Sequence, residues 1–364
     1  MNQKSIIQEE CLEAIGNNKR AGAVLGTGAG KTLLGLKHMA SKYHDVAMFL
    51  VIAPKVSIHA EWLQQARDHG LEYLIPHIKF TTYISLHKEP FDYDAVYFDE
   101  CHNAKFKHAK WMALYHGTIL GLTGTYPKYT KSESFVVCNE YFPVVYKYTI
   151  ADGIAANMLN DYKIYVHLLS LDKAKTHRTS KGGLVSEESN YNMWCKVIND
   201  AKPKDIMLKR IMRMKAMQSY KTKVKYAKRL MEQQTDKTLV FTDYTDQADM
   251  ICEHVYHSKE KKSKDNLELF RSGKISRLAS VLQIAEGANI PNLKVGIVLH
   301  SYANEKKLSQ KIGRFLRLNP NEQSIVHVLC YNNTVDLMWC KKALKDFDTN
   351  KIFKYNGRAS IIQR

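Results

Sequence analysis

Several things are scarce in this sequence, and each scarcity excludes something. There are seven cysteines in 364 residues, an odd number, and no two form a CxxC pair. Neither a disulfide frame nor a zinc knuckle is expected, and the thiols read as reduced ones in a cytosol-like compartment. Long apolar runs are missing. The longest, Val46 to Ala53, has eight residues, far short of the roughly 20 that cross a bilayer. No charged start leading into an apolar stretch precedes Arg20, so no secretion signal is expected. No internal period of the length that marks solenoids is visible. Acidic side chains are also few, 36 against 54 basic ones, for a net charge of +18. What is present is ordinary for a globular chain: 45% hydrophobic and 25% charged residues exclude a largely disordered or fibrous protein, and the length suits two or three domains.

The basic excess is uneven. Residues 1–150 hold 16 basic and 14 acidic side chains, and residues 151–364 hold 38 and 22. An excess concentrated in one part suits a polyanionic partner, with a merely soluble basic surface as the alternative. Short runs rich in Val, Ile, Phe and Tyr predict strands at Ala21–Leu25, Val46–Ala53, Ile78–Thr82, Ala95–Phe98 and Ile119–Leu122, with helices such as Lys31–Ser41 and Val56–His69 between them. Alternation of this kind predicts a mostly parallel sheet with helices on both faces. The pattern pauses after residue 150. Asp161–Leu171 alternates like a strand, Asp172–Asn190 reads as a polar mobile loop, and Lys204–Gln234 as one or two basic helices. Strands then resume at Thr238–Thr242, Leu278–Leu282, Val295–Leu299 and Ile325–Cys330. The expected fold class is therefore α/β, with two lobes in series, 1–150 and 151–364.

Two segments carry chemistry. Gly26-Thr27-Gly28-Ala29-Gly30-Lys31-Thr32 follows a short apolar strand and opens a helix, the context a phosphate-binding loop requires. Glycines let backbone N–H groups approach phosphate oxygens, and the helix presents its positive end. Lys31 would reach the outer phosphates and the Thr32 hydroxyl would hold Mg²⁺. The pattern departs from the strict form at Leu25, where a glycine is usual, and a flexible glycine-rich turn is the alternative. Asp99-Glu100-Cys101-His102 closes the strand Ala95–Phe98. Acids at the carboxyl end of a parallel strand lie where ligands bind in such sheets. Asp99 would hold Mg²⁺ through water, and Glu100 would orient and deprotonate an attacking water. A solvated acid pair is the alternative for this segment taken alone.

Together, in order, these segments and those that follow resemble superfamily 2 helicases. Thr123-Gly124-Thr125 follows a further strand. Val240-Phe241-Thr242 is similar to motif IV, and Phe270-Arg271-Ser272-Gly273 to the segment preceding motif V. Glu286-Gly287-Ala288-Asn289-Ile290-Pro291 is similar to motif V, although Val281 stands where a threonine is usual, with Ser280 or Gln283 as substitutes. Gln310-Lys311-Ile312-Gly313-Arg314-Phe315-Leu316-Arg317 is similar to motif VI. The resemblance runs from Gln8 to about Tyr331, and the chain looks most like compact phage and viral DNA helicase cores of the UvsW and RecG-like kind.

The resemblance implies two RecA-like lobes, ATP and Mg²⁺ between them, and an ATP-driven helicase or translocase located in the cytoplasm, that of a host if the source is viral. It assigns Arg317 and Arg314, with Gln310 and Gly287, to the second lobe's share of the nucleotide site. Gln8 would read the adenine edge, and Thr123 and Thr125 would couple the nucleotide and strand sites. Nucleic acid would lie on Pro54, Lys55, Thr81, Tyr83 and Thr242, contacts to phosphates that read no sequence. DNA is favoured as single strand, fork or junction, with replication or recombination proteins as further partners. An RNA remodeller and a nucleotide-gated binder without strand separation are the rival readings.

Overall fold

The structure, a computed structural model, describes residues 3–26, 29–127, 129–148, 152, 161–179, 182–281, 290–302, 308, 312, 323–345, 347–356 and 360–362. Two compact units meet in the chain at Asn160 and Asp161. Among the described residues no helix is long and apolar enough to cross a membrane.

The first unit opens with helix α1 (Gln3–Ile15) and then alternates strands β1 (Arg20–Leu25), β2 (Phe49–Ala53), β3 (Ile78–Thr82), β4 (Ala95–Asp99), β5 (Thr118–Thr123) and β6 (Val144–Tyr148) with helices α2 (Lys31–Ser41), α3 (Ser57–Asp68), α4 (Phe106–Leu114) and α5 (Glu133–Tyr141). The strands pair in the order β3-β2-β4-β5-β1-β6, all parallel. Strands covered on both faces need apolar side chains at every position. In β2 Phe49, Val51 and Ala53 enter one core and Leu50 and Ile52 the other, and β4 divides in the same way, with Ala95 and Tyr97 opposite Val96 and Phe98. Parallel pairing brings Leu25, Ala53, Thr82, Asp99 and Thr123 to the same edge of the sheet. β2 starts three residues later than its apolar run suggests. Ala47 N–H donates to the His44 carbonyl in a turn, which leaves Val46 81% exposed.

The second unit contains β7 (Asp161–Leu169), the short β8 (His177–Arg178) and β9 (Leu184–Val185), helices α6 (Glu187–Asn199), α7 (Ile206–Gln218) and α8 (Lys221–Glu232), then β10 (Thr238–Thr242), α9 (Thr245–Ile251), β11 (Val255–Tyr256), α10 (Ser263–Arg271), β12 (Arg277–Val281), β13 (Val295–Val298), β14 (Gln323–Tyr331), α11 (Val335–Ala343), β15 (Ile352–Asn356) and β16 (Ser360–Ile362). The main sheet runs β11-β12-β10-β13-β14-β7-β15-β16, parallel except where β16 folds back on β15. Nine registered pairs join β7 to β14, from Asp161↔Gln323 to Leu169↔Tyr331. The stretch expected as a loop, Asp172–Asn190, instead contains the β8–β9 ladder and the start of α6. Ser186 caps that helix by accepting from Ser189 N–H, and Glu187 and Glu188 suit its positive end.

The basic segment forms two helices, and α8 buries Val224, Ala227, Leu230 and Met231 along one side. One of its lysines goes inward with them. Lys223 Nζ donates to Asp336 Oδ2 at 2.6 Å, with side-chain exposures of 1% and 3%. The Tyr331 N–H donates to the same oxygen at 2.8 Å, and the ammonium lies 4.9 Å from the Tyr331 ring centroid. Burying such a pair is tolerable only when its remaining hydrogen-bonding capacity is met in this way.

Candidate nucleotide site

β1 delivers the chain to Gly26, whose N–H donates to the Tyr148 carbonyl of β6 at 2.7 Å. The turn ends at Gly30, which sits at φ 79° and ψ 51° as the residue before α2. A side chain is strained in this left-handed region, so glycine is required where the loop turns into the helix. The opening N–H groups of α2 lack intrahelical partners and carry the helix's positive end. Thr32 stands in that first turn. Gln8 of α1 is 1% exposed, and its amide donates to the Ala29 and Gly30 carbonyls at 3.2 and 3.3 Å. The glutamine expected to read a base edge thus supports the loop from behind.

Facing the loop is the end of β4. Lys31 Nζ donates to Glu100 Oε1 at 3.1 Å, with 20% and 26% of the two side chains exposed. Glu100 adopts φ 50° and ψ 54°, unusual for a residue with a Cβ and costing about 1–3 kcal/mol. Its carbonyl accepts from the backbone N–H and side-chain amide of Asn103, at 2.9 and 3.0 Å, which offsets that strain. The twist turns adjacent acids to different neighbours. Asp99 is 6% exposed, and its Oδ2 accepts from Trp62 Nε1 at 3.0 Å. Burial, and after it the charge of Glu100, push the Asp99 carboxyl up to about 6, against the pull of Lys31 and Trp62. For Glu100 burial works in the same direction, but Lys31 and His102 outweigh it and hold the carboxyl well below the usual carboxylate range.

A small polar network completes the site. His102 Nδ1 lies 3.3 Å from Glu100 Oε2 and 2.8 Å from Thr123 Oγ1. The Thr123 hydroxyl also lies 3.3 Å from Glu100 Oε2 and accepts from Thr125 N–H at 3.1 Å. Thr123, at the end of β5, therefore connects the acid to Thr125, whose own Oγ1 is buried without a hydrogen-bond partner among the described residues.

The residues expected on the nucleic-acid side divide. Pro54 is half-buried, Lys55 is exposed, and both follow β2 at the same sheet edge. Thr81 is 5% exposed, and Tyr83 turns inward, its hydroxyl donating to the Asp99 carbonyl at 2.9 Å. In the second unit Thr242 is fully buried, its hydroxyl donating to the Tyr244 and Ser280 carbonyls at 3.2 and 3.4 Å. Ser280 is buried too, and its own hydroxyl has no partner among the described residues. Thr27, Gly28, Gly287, Gln310, Arg314 and Arg317 lie outside the described residues.

Two family models match the chain: "Type III restriction enzyme, res subunit" over residues 2–128 and "Helicase conserved C-terminal domain" over residues 222–319. The first contains the Lys31 loop and the Asp99–Glu100 pair, and the second contains both arginine positions. Together with the relative below, they support a superfamily 2 DNA helicase or translocase. A curated relative, the DNA 3'-5' translocase XPB2 of Sulfurisphaera tokodaii, is 23% identical over 357 positions, covering 88% of this chain and 80% of the relative. Among solved structures, the DNA-bound Type ISP restriction-modification enzyme LlaBIII superposes with a TM-score of 0.62 at 13% identity over 99% of this chain, which spans about a third of that enzyme (32%). The S. cerevisiae protein Dbp5, bound to RNA and ADP BeF3, gives 0.61 at 11% identity, covering 97% and 90% of the two chains. The Pyrococcus furiosus Hef helicase domain gives 0.51 at 13%, covering 94% and 97%. These likenesses establish two RecA-like units.

A superfamily 2 enzyme uses ATP, and the donors for a divalent ion fit one typical partner of ATP. Asp99 is a buried carboxyl raised toward neutrality, a group that a cation would return to its ionised form. Thr32 is the hydroxyl in the first turn of the loop helix. Few protein ligands beside phosphate oxygens and water is the coordination Mg²⁺ favours.

Two contributors were not legible from motif spacing. His102 stands in the acidic motif but is given its role only by the 2.8 Å contact to Thr123. Trp62 reads as an ordinary core residue of an amphipathic helix. Its signal is a buried indole N–H, which needs an acceptor.

Proposed function

We propose that this chain is an ATP-driven DNA translocase in which Lys31, Thr32, Asp99 and Glu100 hold and hydrolyse MgATP. The observation that carries the reading is the Lys31–Glu100 pair at 3.1 Å, at the carboxyl edge of a parallel sheet and directly beside a glycine-bounded loop. The ammonium and the acid are partly exposed, so a triphosphate can take the ammonium. Glu100 then loses the neighbour that does most to hold its proton affinity down and becomes a stronger base for a water. A positioned general base contributes about 10²–10⁴ in rate. Mg²⁺, held by Asp99 and Thr32, would neutralise charge building on the phosphates.

Arg317 and Arg314 are assigned the guanidinium role in the transition state. Their forked, permanent charge suits it, and such a group is worth about 10³–10⁵. Gln8 keeps its loop-supporting bonds, and the adenine edge is assigned to the remaining carbonyl of the same amide. Strand phosphates are assigned to the segment Pro54–Lys55 and to the backbone around Thr81–Tyr83 in the first unit, and in the second to the basic surface, because the Thr242 side chain is fully buried and committed to the Tyr244 and Ser280 carbonyls. The 38-to-22 basic excess of residues 151–364 supports a polyanion there. DNA is preferred to RNA because the curated relative XPB2 is a DNA translocase.

The deciding experiment is ATP turnover measured with no nucleic acid, with single-stranded, duplex and forked DNA, and with RNA. Stimulation by DNA above RNA is expected. Stimulation by RNA alone would replace the DNA reading, and no stimulation by any of them would remove the motor.

A further inference from the structure

We propose that α3 links the strand-binding edge of the first unit to its metal carboxylate, with Trp62 and His59 as the positioning residues at the two ends of the link. This rests on the assignment of Pro54–Lys55 and Thr81 to nucleic acid and of Asp99 to Mg²⁺, and it adds a route between them that no sequence motif names.

α3 starts at Ser57, directly after Pro54, Lys55 and Val56, so any shift of that segment moves the helix. His59 and Trp62 are three residues apart and so share one side of α3. His59 Nε2 donates to the Thr81 carbonyl at 3.2 Å, and its ring stacks on Phe80 with centroids 4.9 Å apart. A carbonyl only accepts, so His59 Nε2 carries the proton of this bond, and burial disfavours the doubly protonated ring. Trp62 is fully buried and donates to Asp99 Oδ2 at 3.0 Å. One helix thus grips the last part of β3 with one residue and the end of β4 with the other, while the strand between them, β2, leads into the helix itself.

The indole is not free to turn independently. Gly35 of α2 passes so close that a Cβ there would lie 2.5 Å from Trp62 Cη2 and 2.9 Å from Cζ3. Tyr97 packs on the same indole, with ring centroids 6.4 Å apart. Displacement of Trp62 is therefore felt by α2, the helix that begins with Lys31, and by Asp99 at the same time. An N–H to carboxylate bond commits one Asp99 oxygen, Oδ2, and so sets the orientation of the carboxylate. Partners of metal-ligating groups typically change metal affinity or activity about 10–100-fold when removed. An indole that served only as satisfied core would affect stability but not this response.

The test uses the full chain and two readouts that do not depend on turnover. The first is the indole N–H resonance of Trp62, assigned by replacing Trp111, Trp194 and Trp339 one at a time and so available even if a Trp62 variant folds poorly. The second is the Mg²⁺ concentration that half-saturates binding of a non-hydrolysable ATP analogue. Single-stranded oligothymidylate added without nucleotide should shift the Trp62 resonance, and His59→Ala should remove that shift while leaving the Mg²⁺ curve in place. Trp62→Phe should raise the Mg²⁺ requirement about 10-fold or more. An indole resonance indifferent to DNA, or an unchanged Mg²⁺ requirement in Trp62→Phe, overturns the link. If the unaltered protein shows DNA-stimulated turnover in either case, the motor reading survives alone; if it shows none, both fall.

Discussion

Lys31–Glu100 in the first unit and Lys223–Asp336 in the second are both lysine–carboxylate pairs within hydrogen-bond distance, and their surroundings make them opposites. The first is about a quarter exposed and lies at the start of α2, whose opening N–H groups lack intrahelical partners. The second is sealed, and the Tyr331 N–H occupies the same carboxylate oxygen as the ammonium. Both units use parallel sheets, so a parallel sheet edge does not by itself make a reactive site. What distinguishes the first is a pair left open enough for a phosphate to displace one partner. In the second unit several polar groups near the strand ends pair with one another: Gln218 donates to Asp243 at 2.7 Å, and His300 Nε2 and Gln247 Oε1 are 3.1 Å apart. The contrast is between these two pairs: the Lys31–Glu100 pair stays open to a ligand, and the Lys223–Asp336 pair is closed within the fold.

The contrast breaks most sharply by mutation of the open pair. Glu100→Gln should lower turnover by about 10²–10⁴ and Lys31→Ala by at least about 10², with melting curves nearly unchanged. The sealed pair should behave in reverse. Lys223→Met or Asp336→Asn alone should cost about 3–5 kcal/mol in denaturant unfolding, because each leaves a buried group without its partner. The double change Lys223→Met with Asp336→Asn should recover much of that loss, because the amide oxygen can still accept from the Tyr331 N–H, and turnover of the folded fraction should survive in all three. A full loss of turnover in a well-folded Lys223→Met protein would mean that the second pair is not purely structural.

Acid should discriminate next. In the second unit His167 Nε2 and His327 Nδ1 are 2.8 Å apart, both rings buried among Tyr165, Tyr226 and Tyr355. Burial lowers His167 to about 4 and, with the charge of His167 adding to it, His327 to about 3. Their folded-state values lie below the unfolded value of 6.5, so the unfolded chain binds more protons. Stability from this pair is complete above pH 6.5 and falls as the pH drops toward 4, by about 1.4 kcal/mol per pH unit for each histidine over that window. Unfolding curves of the unaltered chain and of His167→Phe/His327→Phe should converge in slope only above pH 6.5. The smallest effect belongs to Lys105–Glu133, a surface pair at 3.6 Å. Lys105→Ala should change stability by less than about 1 kcal/mol, and added salt should shrink that further.

The parts most legible in the sequence are those where local chemistry and tertiary demand coincide. Ile78–Thr82, Thr238–Thr242 and Lys31–Ser41 have the same ends in the structure as in the apolar pattern, because buried parallel strands and a loop-led helix leave little choice of residue. Val46–Met48 look like strand and are not, since a backbone turn at His44–Ala47 outweighs their apolarity. β6 and β15 lack continuous apolar runs, and their pairing is imposed by neighbours. Lys223 could not be told from the solvated lysines around it, because its acceptor is 113 residues away. In the site, Lys31, Asp99 and Glu100 follow from spacing. The inward turn of Tyr83, the loop-supporting bonds of Gln8 and the Trp62–Asp99 contact depend on contacts that spacing does not encode.

The most direct test of the central claim is steady-state ATP turnover with and without single-stranded DNA, for the unaltered chain beside Lys31→Ala and Glu100→Gln. The open-pair account expects DNA to accelerate hydrolysis in the unaltered chain and neither variant to hydrolyse ATP above background. Turnover that persists in both variants would contradict it.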